Sequence, residues 1–260
     1  MSYALADSAT MVRRNLNRMV RYPSMTITLV GMPIVFLLLF VYVFGGTLGA
    51  GLGGASGGRS EYVNYVTPAI ILMTITAAVQ GTCISVAMDM TEGIVDRFRT
   101  MAIARVSVLT GHVIGSLIQT MLGIAMVTGV ALLIGFRPTA SLVDWLALTG
   151  VLALMAFAFI WLSVALGLAS KTVESSSNVG MPLILLPFLG SGFVPTDSMP
   201  TALRWFAEYQ PFTPLIETIR GLLMGTPIGN NAAIAVGWCV AIALGGYLWS
   251  KKLFNRESTR

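Results

Sequence analysis

Charge is what this sequence has least of. Asp, Glu, Lys and Arg make up 10% of its 260 residues, against roughly a quarter in a water-soluble domain. Hydrophobic residues make up 55%, and the mean hydropathy is +0.80. These values exclude a soluble globular domain and make the chain an integral membrane protein. Cysteine is nearly absent: Cys83 and Cys239 both lie inside apolar runs, with neither a disulfide framework nor zinc spacing. His112 is the one histidine, so it builds no metal site by itself and reads as a helix-packing or interfacial residue.

The phosphate-binding loop is also missing. Such a loop needs two glycines whose bare backbone wraps the phosphates, then Lys and Ser or Thr. The nearest string, ALGLASKT (165–172), lacks both glycines and closes an apolar run instead of following a strand. The chain is therefore expected to bind no ATP, no cofactor and no metal itself. The interiors of the apolar runs offer only Gln80, Gln119, Asn178 and hydroxyls, while Asp144 and Glu217 fall near run ends. That argues against a proton-coupled carrier, which keeps an ionisable group at mid-membrane. No paired carboxylates and no Ser/His/Asp or Cys/His constellation appear, so an enzyme is not expected. The net charge of +5 comes from residues beside apolar runs rather than from a patch interleaved with aromatics, which speaks for membrane topology and against nucleic acid.

Six charge-free windows are long enough to hold membrane spans: 24–46, 62–88, 107–134, 145–169, 177–192 and 231–250. All six belong to one transmembrane domain, and the fold class is all-α. Pro33 predicts a kink in the first window. The fifth contains Pro182 and Pro187 and ends at Gly190-Ser191-Gly192, which makes it short and breakable. Before the first window, residues 4–22 place Leu5, Ala9, Val12, Leu16 and Met19 at alternating four- and three-residue steps. Arg13, Arg14, Asn17, Arg18 and Arg21 occupy the rest. This is a basic amphipathic helix for the headgroup plane. Arg13-Arg14 invites an export-signal reading, but the apolar run that follows is too long for a cleaved signal.

With the N-terminus inside, twelve Lys and Arg fall on the cytoplasmic side and four outside. The positive-inside rule then puts both termini in the cytoplasm of a multi-pass plasma-membrane protein. Residues 45–58 read as a flexible glycine-rich outer linker. Gly111-x-x-x-Gly115 with Ser116 and Thr120 predicts close helix contact. Prolines 195, 200, 211 and 214 divide the outer stretch 193–227 into short helices over 201–209 and 214–224. With Trp205, Phe206, Tyr209 and Phe212 at interfacial depth, that stretch is expected to dip into the membrane and return as a lid.

Between the second and third windows lies a charged island, 89–105, reading DMTEGIVDRFRTMAIAR. Burying its six charges in lipid would cost on the order of 15 kcal/mol, so it is expected in water or against another protein. Ile94, Val95, Phe98, Met101 and Ile103 fall mostly on one helical face. Such a helix is either an interfacial loop or a docking surface for a soluble partner.

Three strings carry a family resemblance: RRNLNRMVRYPSMTITLVGMPIVFLLLFVYVFGG (13–46), DMTEGIVDRFRTMAIARVSVLTGHV (89–113) and FVPTDSMPTALRWFAEYQPFTPLIETIRGLLMG (193–225). Together with the span plan, they resemble the type 2 ABC-transporter permeases, in particular the branch containing the daunorubicin/doxorubicin-resistance permeases of actinobacteria. The resemblance implies a subunit without ATPase activity, paired with a second copy and with two ABC ATPase subunits that handle ATP and magnesium. It implies that 89–105 is the coupling helix, with Glu92, Gly93, Asp96, Arg97, Phe98 and Arg99 meeting the ATPase and Arg14 and Arg18 as secondary contacts. The first, second and fifth spans of two copies are expected to enclose a path for hydrophobic or amphipathic substrates, lined by Met32, Phe36, Phe40, Met73, Gln80, Asn178 and Phe188. Trp205, Tyr209, Phe212 and Glu217 would form its outer gate. The implied activity is export by alternating access. Export of lipid or lipid-linked polysaccharide remains an alternative, as does a secondary carrier or channel. The first outer loop is too short to hold a domain, so no large extracellular partner is expected.

Overall fold

The structure is a computed structural model that describes residues 23–53, 58–91 and 105–256, with Thr10, Val12, Arg13, Asn17 and Arg21 as single positions. Every regular element among the described residues is helical. Helix α1 (Pro23–Leu38) passes into wide π-type turns over Leu39–Phe44 and then into α2 (Gly45–Gly53). The long helices are α3 (Arg59–Thr91), α4 (Arg105–Leu133), α5 (Leu142–Ala169) and α9 (Asn231–Arg256). Between α5 and α9 come α6 (Val173–Leu185), a 3-10 turn at Leu186–Leu189, a second at Thr196–Ser198, α7 (Thr201–Tyr209) and α8 (Phe212–Met224).

Helix α3 is the centre, packed against α1, α4, α5, α6 and α8. It hides its polar groups locally, since the hydroxyls of Thr67, Thr74 and Thr82 each donate to a carbonyl four residues back. That bonding suits a helix in apolar surroundings, where an unpaired hydroxyl is costly. Lateral contacts are close. A Cβ on Gly167 of α5 would stand 2.8 Å from the Cys83 carbonyl oxygen, so only glycine lets these two backbones approach. Ser163 donates to the Val79 carbonyl from the same helix, and the hydroxyls of Thr82 and of Ser116 on α4 are hydrogen-bonded at 2.9 Å.

The helix ends follow capping chemistry. Ser141 and Asp144 form a reciprocal capping box at the start of α5, and Thr172 caps α6 by accepting from the Ser175 N–H at 3.1 Å. Helix α8 stops at Gly225, whose φ of +68° is the left-handed cap that glycine favours.

Among the described residues, five helices are long and apolar enough to cross a membrane: Leu29–Gly51, Arg59–Thr91, Leu109–Leu133, Leu142–Ala169 and Asn231–Phe254. The window at 177–192 is not among them. It holds residues 177–185 of the 13-residue α6 and the four-residue 3-10 turn, and Pro187, which cannot donate to a helical ladder, stands where the α-helix gives way.

Two expectations are corrected. Residues 45–53 are helical rather than loose linker, because the first span runs on through them. A side chain on Gly49 would collide with the Gly58 carbonyl, so glycine here serves close packing. The island 89–105 does not begin in water either. Helix α3 continues to Thr91, and Asp89 is buried. Helix α1 contains Pro33, and its winding changes at Leu39.

Candidate functional site

The densest polar arrangement among the described residues joins α3, the turn after α6 and α8. The 3-10 turn ends at Gly190, whose N–H bonds to the Pro187 carbonyl at 3.3 Å. The chain then lies flat on α3, because Gly192 has no side chain; a Cβ there would come within 2.5 Å of the Ala69 Cβ. Ser191 sits at the crossing. Its N–H donates to Thr213 Oγ1 at 3.2 Å, its hydroxyl donates to Glu217 Oε1 at 2.5 Å, and its carbonyl accepts from Tyr65 OH at 2.7 Å.

Arg220, one helical turn beyond Glu217, closes this corner. Its Nη1 donates to Glu217 Oε1, while Nη2 donates to the carbonyls of Ser191 at 3.0 Å and Tyr65 at 3.2 Å. The guanidinium also lies 4.0 Å from the Tyr65 ring centroid. A buried guanidinium calls for a counter-charge and partnered donors; Glu217 supplies the charge and Nη1 and Nη2 are both bonded, while Nε has no partner among the described residues. Next to it, Tyr62 OH donates to the Phe193 carbonyl at 3.3 Å.

Beside the corner stands an aromatic wall. Phe188 and Phe193 stack at 4.5 Å, Phe40 packs on Phe193 at 4.6 Å, and Phe36 meets Phe188 edge-on at 5.6 Å. Three of the expected path residues, Phe36, Phe40 and Phe188, are thus brought together half-buried. Met73 is instead part of the buried core, and Gln80 donates to the Ser177 carbonyl at 3.4 Å between α3 and α6. Met32 and Asn178 are exposed on the outer sides of α1 and α6.

The expected outer-gate residues divide in two. Phe212 is buried against Phe159 at 5.6 Å, and Glu217 belongs to the polar corner. Trp205 and Tyr209 pack on each other at 5.1 Å and are about two-thirds exposed, at 64% and 66%. They border a cleft of about 390 Å³ with Leu186, Phe206, Gln210 and Pro211. On the other face of α7, Arg204 bonds Glu208 and Asp197, each at 2.7 Å, which raises its pKa, Glu208 contributing most.

At the opposite end of α3, Asp89 Oδ2 lies 3.1 Å from His112 Nε2 of α4, and both side chains are buried. This pair ties together the two helices on either side of 92–104. Glu92, Gly93, Asp96, Arg97, Phe98, Arg99, Arg14 and Arg18 lie outside the described residues. Among the described residues, no three of His, Cys, Asp and Glu gather into a metal-binding set.

Sequence reasoning missed Arg220, taking it as the outer flank of the sixth span. The Glu217-x-x-Arg220 spacing in an otherwise apolar helix was the available signal, since residues three apart share a helix face. It missed Ser191 too, whose neighbouring glycines read only as a helix terminus.

A model of the ABC-2 type transporter family matches residues 8–224. The chain is 27% identical over 227 residues to the daunorubicin resistance ABC transporter permease protein DrrB1 of Streptomyces coeruleorubidus, which covers 86% of this chain and 77% of that protein. It is 25% identical over 225 residues to the probable doxorubicin resistance ABC transporter permease protein DrrC of Mycobacterium tuberculosis, covering 84% and 78%. The matched residues take in α3, the polar corner and the aromatic wall, and the chain belongs to the ABC-2 type transporter family.

Proposed function

We propose that this chain is the membrane subunit of an ATP-driven exporter that moves hydrophobic or amphipathic molecules out of the cell by alternating access. The observation that carries this reading is the family match over 8–224, together with relatives named as drug-resistance ABC permeases. The aromatic wall of Phe36, Phe40, Phe188 and Phe193 supports cargo of this kind, because ring faces take up apolar surface without demanding a fixed polar partner.

In this reading six segments cross the membrane. The fifth is α6 with its 3-10 extension, and 193–227 dips in from outside and returns. Both termini are cytoplasmic. Two copies pair so that their first, second and fifth spans enclose the path. ATP and magnesium are handled by two ABC ATPase subunits, which meet Glu92, Gly93, Asp96, Arg97, Phe98 and Arg99, with Arg14 and Arg18 beside them. Closure of the ATPases tilts the spans between inward- and outward-open packings. The corner held by Arg220 moves as one piece, since separating it would strand a buried charge.

The test is reconstitution in liposomes with a co-purified ATP-binding-cassette subunit. Daunorubicin or doxorubicin should stimulate ATP hydrolysis and accumulate in an ATP-dependent way. Movement of either compound without the ATPase subunit would overturn the proposal in favour of a secondary carrier. Glu92→Lys and Gly93→Pro should leave insertion normal and uncouple hydrolysis from transport. Transport surviving both changes at normal expression would remove the coupling assignment.

A further inference from the structure

Helices α7 and α8 adjoin in sequence and differ in how they are held. Ten of the thirteen residues of α8 are buried, and the Arg220 corner fixes it to α3. Over 201–210, every residue is exposed except Ala207 and Gln210. Helix α7 packs on α8 and on the 3-10 turn Thr196–Ser198. Arg204 fastens it to that turn by bonding Asp197 as well as Glu208. Its ladder ends where the Gln210 N–H bonds to the Phe206 carbonyl at 3.0 Å, because Pro211 has no N–H to offer.

Of the two buried residues that seat α7, Ala207 adds a single methyl group and Gln210 is mismatched to its surroundings. Gln210 is 6% exposed, and neither its amide nitrogen nor its amide oxygen has a partner among the described residues. The amide lies inside the protein by Gly190, where a Cβ would stand 3.2 Å from Nε2 and 3.1 Å from Thr213 Oγ1. Both amide atoms are sealed from solvent, which leaves no room for a bridging water. A buried amide unpaired at both ends is a cost that folded proteins rarely carry, and here it falls on the conformation that keeps α7 seated. Lifting α7 returns the amide to water. Among the other side chains of α7, only Ala207 loses burial in exchange.

We propose that α7 and the 3-10 turn fastened to it form one flap, which lifts from α8 about the Gln210–Pro211 joint and is biased towards lifting by the Gln210 amide. The apolar cleft that Trp205, Phe206 and Tyr209 share with Leu186 widens as the flap rises. The expected gate residues then separate: Trp205 and Tyr209 travel with the flap, while Phe212 and Glu217 stay on α8. Passage of cargo beneath the flap rests on the exporter reading; the motion itself does not.

Ala207 is fully buried, so a thiol in its place is reached only when the flap is up. The whole chain carrying Ala207→Cys, in lipid nanodiscs without ATP or a partner subunit, is treated with a water-soluble maleimide. Thr218→Cys, at a buried position on α8, is the seated reference, and the unsubstituted chain, with Cys83 and Cys239 both buried, gives the background. Ala207→Cys should label at least about tenfold faster than Thr218→Cys. Adding Gln210→Leu, which fills similar space without a polar group, should slow that labelling about tenfold, with the melting temperature unchanged or raised. Hydrogen exchange on the chain without introduced cysteines gives a second readout: 201–209 should open in one step, faster than 212–224, and more slowly once Gln210→Leu is made. Four outcomes overturn the proposal: labelling of Ala207→Cys no faster than of Thr218→Cys, exchange over 201–209 no faster than over 212–224, rates that Gln210→Leu leaves unchanged or raises, or exchange that frays inward from Thr201 instead of opening in one step. Failure here leaves the exporter reading standing, and failure of ATP-driven transport leaves the flap standing.

Discussion

Helices α3 and α9 have the same mean hydropathy, 1.8, over their most apolar stretches, yet 72% of the first stretch is buried in the protein and 17% of the second. Lipid and protein interior are equally apolar, so hydropathy says that a helix crosses and not what surrounds it. The difference lies in small and polar side chains. Helix α3 carries Thr67, Thr74, Thr82, Cys83 and Asp89, all buried. Helix α9 turns Trp238, Leu244, Tyr247, Leu248 and Trp249 outward. It also lies beyond the residues that match the family, whereas α3 lies within them.

The sharpest way to break the comparison is at Arg220, which holds α3 to the turn at Ser191. Arg220→Leu should cost about 3 kcal/mol, because half-buried Glu217 loses its counter-charge and the carbonyls of Ser191 and Tyr65 each lose a donor. The double change Arg220→Leu with Glu217→Leu should recover much of that loss. Thermal melting in detergent, followed by size-exclusion, reads both, and a single change as mild as the double would show that the pair holds nothing.

Paired glycine substitutions test the comparison more directly. Gly167→Leu forces a side chain into the α3 backbone and should cost about 1–3 kcal/mol. Gly237→Leu on α9, where a Cβ meets nothing within 4 Å, should stay within about 0.5 kcal/mol. Equal losses at the two sites would mean that α9 is covered in the membrane after all.

At the Thr91 end of α3, His112→Leu removes one partner of Asp89 and should cost about 1–3 kcal/mol. Asp89→Asn, which keeps a side-chain oxygen in place, should cost less. Melting at fixed pH separates them. The smallest effect is expected on the outward face of α9, where Leu244→Ala and Leu248→Ala should each move stability by less than about 0.5 kcal/mol.

Five of the six expected spans were legible because their lengths and flanking charges follow from the water–hydrocarbon boundary alone. What covers them was not, since that depends on side chains far apart in sequence. Arg220 read as a flank because a charge at the end of an apolar run ordinarily marks the interface. Here it reaches Ser191 and Tyr65, residues no local pattern connects to it. The glycines at 45–53 read as linker because glycine weakens an isolated helix, whereas close packing against Gly58 reverses that preference. Asp89 read as solvated because its partner, His112, lies beyond 92–104. Phe36, Phe40 and Phe188 were named together from aromatic character and assigned span, and they do meet. Met32 and Asn178 were named from their assigned spans and face outward.

Helix α6 and its 3-10 extension reach about 28 Å end to end, at roughly 1.5 and 2.0 Å per residue. A hydrocarbon core is about 30 Å thick, so in the six-span arrangement proposed above this segment has no slack to spend on tilting. In short-chain lipid it sits flush; in long-chain lipid the bilayer must dimple toward Gly190 or draw the segment's ends inward. Acyl-chain length thereby becomes a dial on the corner that Ser191 and Arg220 close, one the host cell turns whenever it remodels its lipids.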